Sequence, residues 1–218
     1  MAKKTGRGGV MQNSAHPGSV RRYVVRRVSP PTPRRRELDL PQQRVGALMQ
    51  GLRGEQDTSA RALEFIILTV CRLAEACHAT WEEFDLAAGV WTIPAERSRS
   101  GKARHVALSD AAIAVLEQLR GCDPTAVFPG LARRGDTLAF LRVLERLGWP
   151  ATTARAGRAA FQAWAEAARY PRDGVRFCLG FGLIPAPRAA YLHSDQFEGC
   201  RALMAEWAAW CATVQPDS

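Results

Sequence analysis

The chain has 218 residues, 47% hydrophobic and 23% charged, with 30 basic and 21 acidic side chains and a formal charge of +9. That is enough apolar material for one sizeable core or two small ones, and no apolar run is long or charge-free enough to be read as a membrane span. The basic N-terminus is not followed by an apolar stretch, which excludes a secretory signal, so the chain is expected to be soluble and cytoplasmic. The cysteines Cys71, Cys77, Cys122, Cys178, Cys200 and Cys211 form no CxxC pair. Neither a metal site nor another cofactor is expected, and the thiols read as small buried hydrophobes in a reducing compartment.

Residues 1–36 hold ten basic residues and no acids, which leaves 20 basic and 21 acidic residues in the remainder. The positive excess is therefore a leader, and its Gly, Ser and Pro content with few apolar residues predicts disorder. Three readings of it stand. Arg21, Arg22, Arg26, Arg27, Arg34, Arg35 and Arg36 suit a nucleic-acid-binding tail acting through counterion release. A solvated leader is the second, and a wrong start or frame in GC-rich DNA the third.

An ordered domain is expected over 37–218. Val45, Leu48 and Met49 predict a helix over 41–52, stopped by Gly54. A second begins at Thr58-Ser59, and Leu63, Ile66, Ile67, Val70, Cys71 and Ala74 form a single helical stripe, with Phe65 and Leu68 making the helix apolar nearly all round and hence central. The period then changes to two. Residues 83–86, 90–94 and 104–108 read as three short strands, and the polar, glycine-containing loop 95–103 should project between the last two. Ser109 caps a further helix, with Leu108 and Ile113 as a hydrophobic staple. Helices follow over 138–147, 156–168 and 173–179. The last is opened by Asp195 and Glu198 as a capping box and carries Cys200, Leu203, Met204, Trp207 and Cys211 on one stripe.

The run Ala62–Arg72, the segment Trp81–Leu86, the stretch Val90–Arg97, Val106–Ala112, Val127–Gly130, Phe161-x-x-Trp164-Ala165, Ala189-Ala190-Tyr191 and Leu203–Cys211 together resemble the catalytic domain of prophage-type tyrosine recombinases, the phage integrase family. The resemblance covers roughly 38–211 in order and spacing, without the arm-binding and core-binding domains that usually precede it. It implies a mainly helical α+β fold with a small three-stranded antiparallel sheet. It also implies action on double-stranded DNA in integration and recombination, with self-association on DNA, and cleavage by a tyrosine through a phosphotyrosine ester without metal or ATP.

In that reading Arg72 and Arg158 match the two arginines that grip the phosphate oxygens as charge develops there. Tyr191 matches the nucleophile, and Glu75 matches an acidic residue that props the site. Three positions depart. Arg155 stands where the family has a histidine, and Arg99 stands where it has the lysine that protonates the leaving 5′ oxygen, although Lys102 lies on the same loop as a substitute. Phe181, which has no donor, stands where a histidine or tryptophan bonds the phosphate. Arginine is a poor proton donor, and each general acid–base group contributes roughly 10²–10⁴-fold, so impaired activity is expected. The alternative is a catalytically inactive DNA-binding or regulatory remnant. The bland readings are an Arg72–Glu75 pair at the core edge, and Tyr191 as a half-buried aromatic.

Overall fold

The computed structural model describes residues 40–132, 137–150, 155–181 and 195–214. The elements in order are a 3-10 turn Gln42–Arg44, α1 (Val45–Gly54), α2 (Thr58–Thr69), α3 (Leu73–Cys77), a 3-10 turn Trp81–Glu83, β1 (Phe84–Asp85), β2 (Val90–Ile93), β3 (Arg104–Ala107), α4 (Asp110–Leu119), α5 (Thr137–Arg146), α6 (Ala156–Ala167), α7 (Arg172–Cys178) and α8 (Asp195–Ala212). The expected α+β architecture is present, mainly helical with one antiparallel sheet in the order β1-β2-β3. Its register pairs Phe84 with Trp91, Trp91 with Val106, and Ile93 with Arg104.

α2 is the centre of the domain, as its all-round apolar surface predicts. Ser59 through Thr69 are all buried, with α1, α4, α5, α6 and α8 packed around them. Asp57 starts the helix by accepting from the Ser59 amide at 2.8 Å, a conventional N-cap. On one side Phe65 meets the rings of Phe84, Trp91 and Phe128. On the other, Trp207 of α8 packs on Phe161 and Trp164 of α6 and donates its indole N–H to the Ile67 carbonyl at 2.8 Å. Trp91, Trp164 and Trp207 are thus core, and Trp210 packs partly buried against it. Five of the six cysteines are buried, and Cys122 is exposed.

Two expectations need correction. The stripe through Ala74 predicts one uninterrupted helix, but α2 ends at Thr69 and Val70 adopts the left-handed conformation, φ 46 and ψ 29. A β-branched residue there is a backbone outlier that costs roughly 1–2 kcal/mol. It reverses the chain so that Arg72 is extended and becomes the N-cap of the separate helix α3, while Ala74 is exposed. Secondly, Asp195 is the first residue inside α8 and not its cap, a one-residue offset of the kind expected at helix ends. The described residues contain no helix long and apolar enough to cross a membrane.

Candidate functional site

The break at Val70 builds the site. It turns the chain so that Glu75, third residue of α3, reaches back to Arg72. Glu75 accepts the Arg72 amide at 2.8 Å and the Arg72 guanidinium at 2.7 Å. This is the glutamate half of a capping box only, since an arginine side chain has no acceptor to complete it. Glu75 is 2% exposed and takes a third partner, Arg104 of β3, at 2.9 Å. Arg104 is itself 2% exposed and sends its other terminal nitrogen to the Cys178 carbonyl at 2.7 Å.

Arg158 enters from α6. The approach depends on Gly157, where a Cβ would meet Ile67 Cγ1 of α2 at 3.0 Å, and on the buried Ala156 and Ala160. These small residues let α6 lie close enough for Arg158 to donate to the Val70 carbonyl at the end of α2 and, at 2.9 Å, to the Leu179 carbonyl at the end of α7. Both are helix C-termini, where the macrodipole favours a cation. Burial pulls the Arg158 guanidinium down to about 10, with Arg104 and Arg72 adding like-charge repulsion, only partly offset by Cys71 and Glu75. It stays protonated at neutral pH. The neighbouring Cys71 thiol is pushed up to about 12 by burial and by Glu75, so it is an inert core group.

Two guanidiniums thus bond one carboxylate, and a third, that of Arg158, lies close enough to feel it and the other two electrostatically. Among the described residues the cluster carries two more positive charges than its acid balances, and the dipoles of two helix ends compensate only part of that. Such an arrangement is chemically suited to a phosphate, whose oxygens accept planar, permanently charged forks. Arg72 has its side chain 25% exposed and Arg158 is also half-buried, whereas Arg104 is enclosed. Phe181, exposed beyond α7, has its ring centroid 6.0 Å from the Arg72 guanidinium carbon and 5.9 Å from that of Arg176. The ring therefore lies within cation–π range of Arg72 and offers no hydrogen bond.

The hairpin loop has a fixed base and an open tip. Arg97 donates to the Glu75 backbone carbonyl at 2.9 Å and pairs with Glu83, which also accepts the Trp91 indole N–H at 2.8 Å. Arg99 and Lys102 are exposed at the tip, and Arg155 is exposed immediately before α6. Of the residues singled out from sequence, then, the structure groups Arg72, Glu75, Arg158 and Phe181, and holds Arg99, Lys102 and Arg155 at the surface. Tyr191 and the leader arginines Arg21, Arg22, Arg26, Arg27, Arg34, Arg35 and Arg36 lie outside the described residues. Tyr170 is bonded to Glu206, which pushes its phenol up to about 12.

Arg104 is the residue that sequence reading missed. A signal existed: it shares strand parity with the buried Val106 and Leu108, so an inward-facing charge could be read from the alternation. No group of three or more His, Cys, Asp or Glu positioned to hold a metal occurs among the described residues.

The family model described as phage integrase family matches residues 39–156, just over half of the chain. Arg72, Glu75, Arg99, Lys102, Arg104 and Arg155 fall within that match, and Arg158 and Phe181 beyond it. The chain is 30% identical over 150 residues to prophage integrase IntA of Escherichia coli K12, covering 65% of this chain and 36% of that protein. It is 28% identical over 167 residues to the integrase of Enterobacteria phage P4, covering 67% and 38%, and 30% identical over 154 residues to prophage integrase IntZ of Escherichia coli K12, also covering 67% and 38%. The matched region spans well under half the length of these relatives. No solved structure matches the chain significantly.

Proposed function

Because the chain belongs to the phage integrase family, we propose that it is the catalytic domain of a tyrosine recombinase, acting on double-stranded DNA in integration and recombination with impaired turnover. The observation that carries this is the cluster of Arg72 and Arg104 bonded to the single carboxylate of Glu75, with Arg158 beside them on the carbonyl that ends α7. In the proposed reaction the Tyr191 hydroxyl oxygen attacks a backbone phosphorus and the 5′ oxygen leaves, giving a phosphotyrosine ester. A 5′ hydroxyl of the partner strand then attacks that ester and restores a phosphodiester and the free tyrosine. Bond energy is conserved in the ester. Arg72 and Arg158 hold the non-bridging oxygens, and Lys102 or Arg99 faces the leaving oxygen. Copies of the chain would assemble on the duplex, with residues 1–36 adding sequence-independent affinity that falls steeply with salt.

Impairment follows from the departures at Arg99, Arg155 and Phe181. A nicked suicide duplex, which loses the leaving strand after cleavage, is expected to trap at most a trace of covalent adduct, absent in Tyr191→Phe. Efficient trapping abolished by that change would overturn the impairment. Duplex binding with no adduct at all would instead establish the second reading, an inactive DNA-binding remnant. One observation favours that reading: the ring of Phe181 lies near Arg72, at a position where the proposed chemistry calls for a hydrogen-bond donor.

A further inference from the structure

We propose that Arg104 is a positioning residue for the phosphate grip: a buried fork that sets Arg72 and the turn after α7 at a fixed separation. The inference rests on the reading of Arg72 and Arg158 as anion-holding groups.

A guanidinium 2% exposed, at a strand position whose pattern calls for an apolar side chain, is costly to bury. Its two terminal nitrogens reach opposite walls of the site. One holds Glu75 Oε2 at 2.9 Å and the other the Cys178 carbonyl at 2.7 Å. The same Oε2 accepts the Arg72 amide, and Oε1 accepts the Arg72 guanidinium. Arg104 therefore fixes the plane of the carboxylate that in turn fixes Arg72. At the other wall, the Cys178 carbonyl precedes the Leu179 carbonyl held by Arg158, so both arginines lock successive groups of one helix end.

The turn that follows is built around this fork. Gly180 has φ +77, and a Cβ there would lie 2.6 Å from Arg104 Nε and 2.9 Å from its Cζ. Gly180 N–H bonds to the Phe177 carbonyl and Phe181 N–H to the Arg176 carbonyl, a Schellman ending that leaves no room between turn and guanidinium. A lysine could supply the charge but has no rigid fork to hold both walls at once. Arg104 is enclosed and acts on a phosphate only through Glu75 and Arg72.

The test titrates inorganic phosphate into the full chain and follows the guanidinium Nε–H resonances of Arg72 and Arg158 by NMR. Both are expected to shift in the wild-type protein. Arg104→Lys is expected to weaken phosphate binding about tenfold, at the low end of the loss seen when a supporting partner is removed from a site. The double variant with Arg72→Lys should bind no more weakly than Arg72→Lys alone, because Arg104 acts through Arg72. Gly180→Ala, which displaces the same guanidinium without changing any charge, is expected to give a similar loss and keeps the question answerable if Arg104→Lys fails to fold. Gly148→Ala is the control for backbone strain, since Gly148 has φ +79 and nothing within 4 Å of its Cβ position; it should leave binding unchanged. Wild-type-like binding by Arg104→Lys or Gly180→Ala, or losses from Arg104→Lys and Arg72→Lys that multiply independently, would overturn the positioning role alone. No phosphate response in the wild-type protein would overturn the anion site and this inference with it.

Discussion

The chain builds two buried arginine–glutamate clusters from the same short pattern, and they end differently. Arg61 and Glu64 pair at 2.6 Å within α2, and Arg72 and Glu75 pair at 2.7 Å beyond its end. Each glutamate takes a second arginine from elsewhere, Arg53 of α1 at 2.9 Å in the first case and Arg104 of β3 at 2.9 Å in the second. In the first cluster the remaining donors of Arg61 go to the Leu52 and Glu55 carbonyls at the end of α1 and to the Gln118 side-chain oxygen of α4, and the group is a tie among α1, α2 and α4. In the second, Arg158 adds a further charge, and Arg72 keeps an edge toward solvent. The patterns stand about three helical turns apart in sequence, so an unbroken α2 would have set both on one face. The left-handed Val70 lifts the second pair out of that register. A strut and a candidate phosphate site thus differ by one backbone break and one extra arginine.

The largest effect that tests this contrast comes from the carboxylates. Glu75→Gln and Glu64→Gln each strip a buried acid from two arginines and should each lower stability by about 3–5 kcal/mol, read from urea midpoints. Added inorganic phosphate should restore part of the loss in Glu75→Gln and none in Glu64→Gln. Equal rescue of both, or of neither, would erase the distinction between the clusters.

A second effect sits at the hairpin tip, where Arg99 stands beside Lys102. Arg99→Lys adds a second titratable amine to that loop and should raise trapped adduct on the suicide duplex about 10²-fold, equivalent to about 2.7 kcal/mol of barrier. Arg99 is exposed, so stability should change by no more than about 0.5 kcal/mol. An unchanged adduct yield would place the defect at Arg155 or Phe181 instead.

Much of the fold was legible because burial follows period. The all-round apolar α2, the three short strands and the Ser109 cap, whose hydroxyl accepts the Ala112 amide, are local consequences of their sequences. Arg72 and Glu75 were legible as a pair three residues apart. The break at Val70 was not, because valine has no preference for that conformation and only tertiary partners hold it there: Arg158 on its carbonyl, and Trp207 on that of Ile67. The role of Gly157 was hidden for a similar reason. Its absent side chain matters only because α6 crosses α2 at Ile67, which no one-dimensional pattern records.

A smaller effect concerns Arg158 and pH. Phosphate at ten times its dissociation constant should stabilise the chain by about 1.4 kcal/mol, seen as a rise in Tm. Since burial draws Arg158 in the folded chain from the ordinary guanidinium value down to about 10, above that pH the unfolded chain holds a proton that the folded chain has lost. The contribution of this group to stability therefore rises with pH there. Phosphate works in the opposite direction, because it binds the protonated form. Once the second ionisation of phosphate is complete, its Tm increment should hold until the pH nears about 10 and shrink beyond it, and an increment that grows there would contradict the role of Arg158.

The smallest effect isolates the break itself. Two non-glycine residues adopt positive φ among the described residues, Val70 at 46° and Arg169 at 61°. Arg169 is exposed at the end of α6, so Arg169→Gly relieves left-handed strain at little loss of packing and should stabilise by about 1 kcal/mol. Val70→Gly relieves a similar strain but removes a fully buried side chain, worth about 1.5–3 kcal/mol, so it should destabilise on balance. Opposite signs for the same substitution in the same conformation would show that the turn carrying Arg72 is held by the core around it. A gain in both variants would mean that the strain at Val70 exceeds what its burial returns, and that the second cluster is maintained at a net cost in stability.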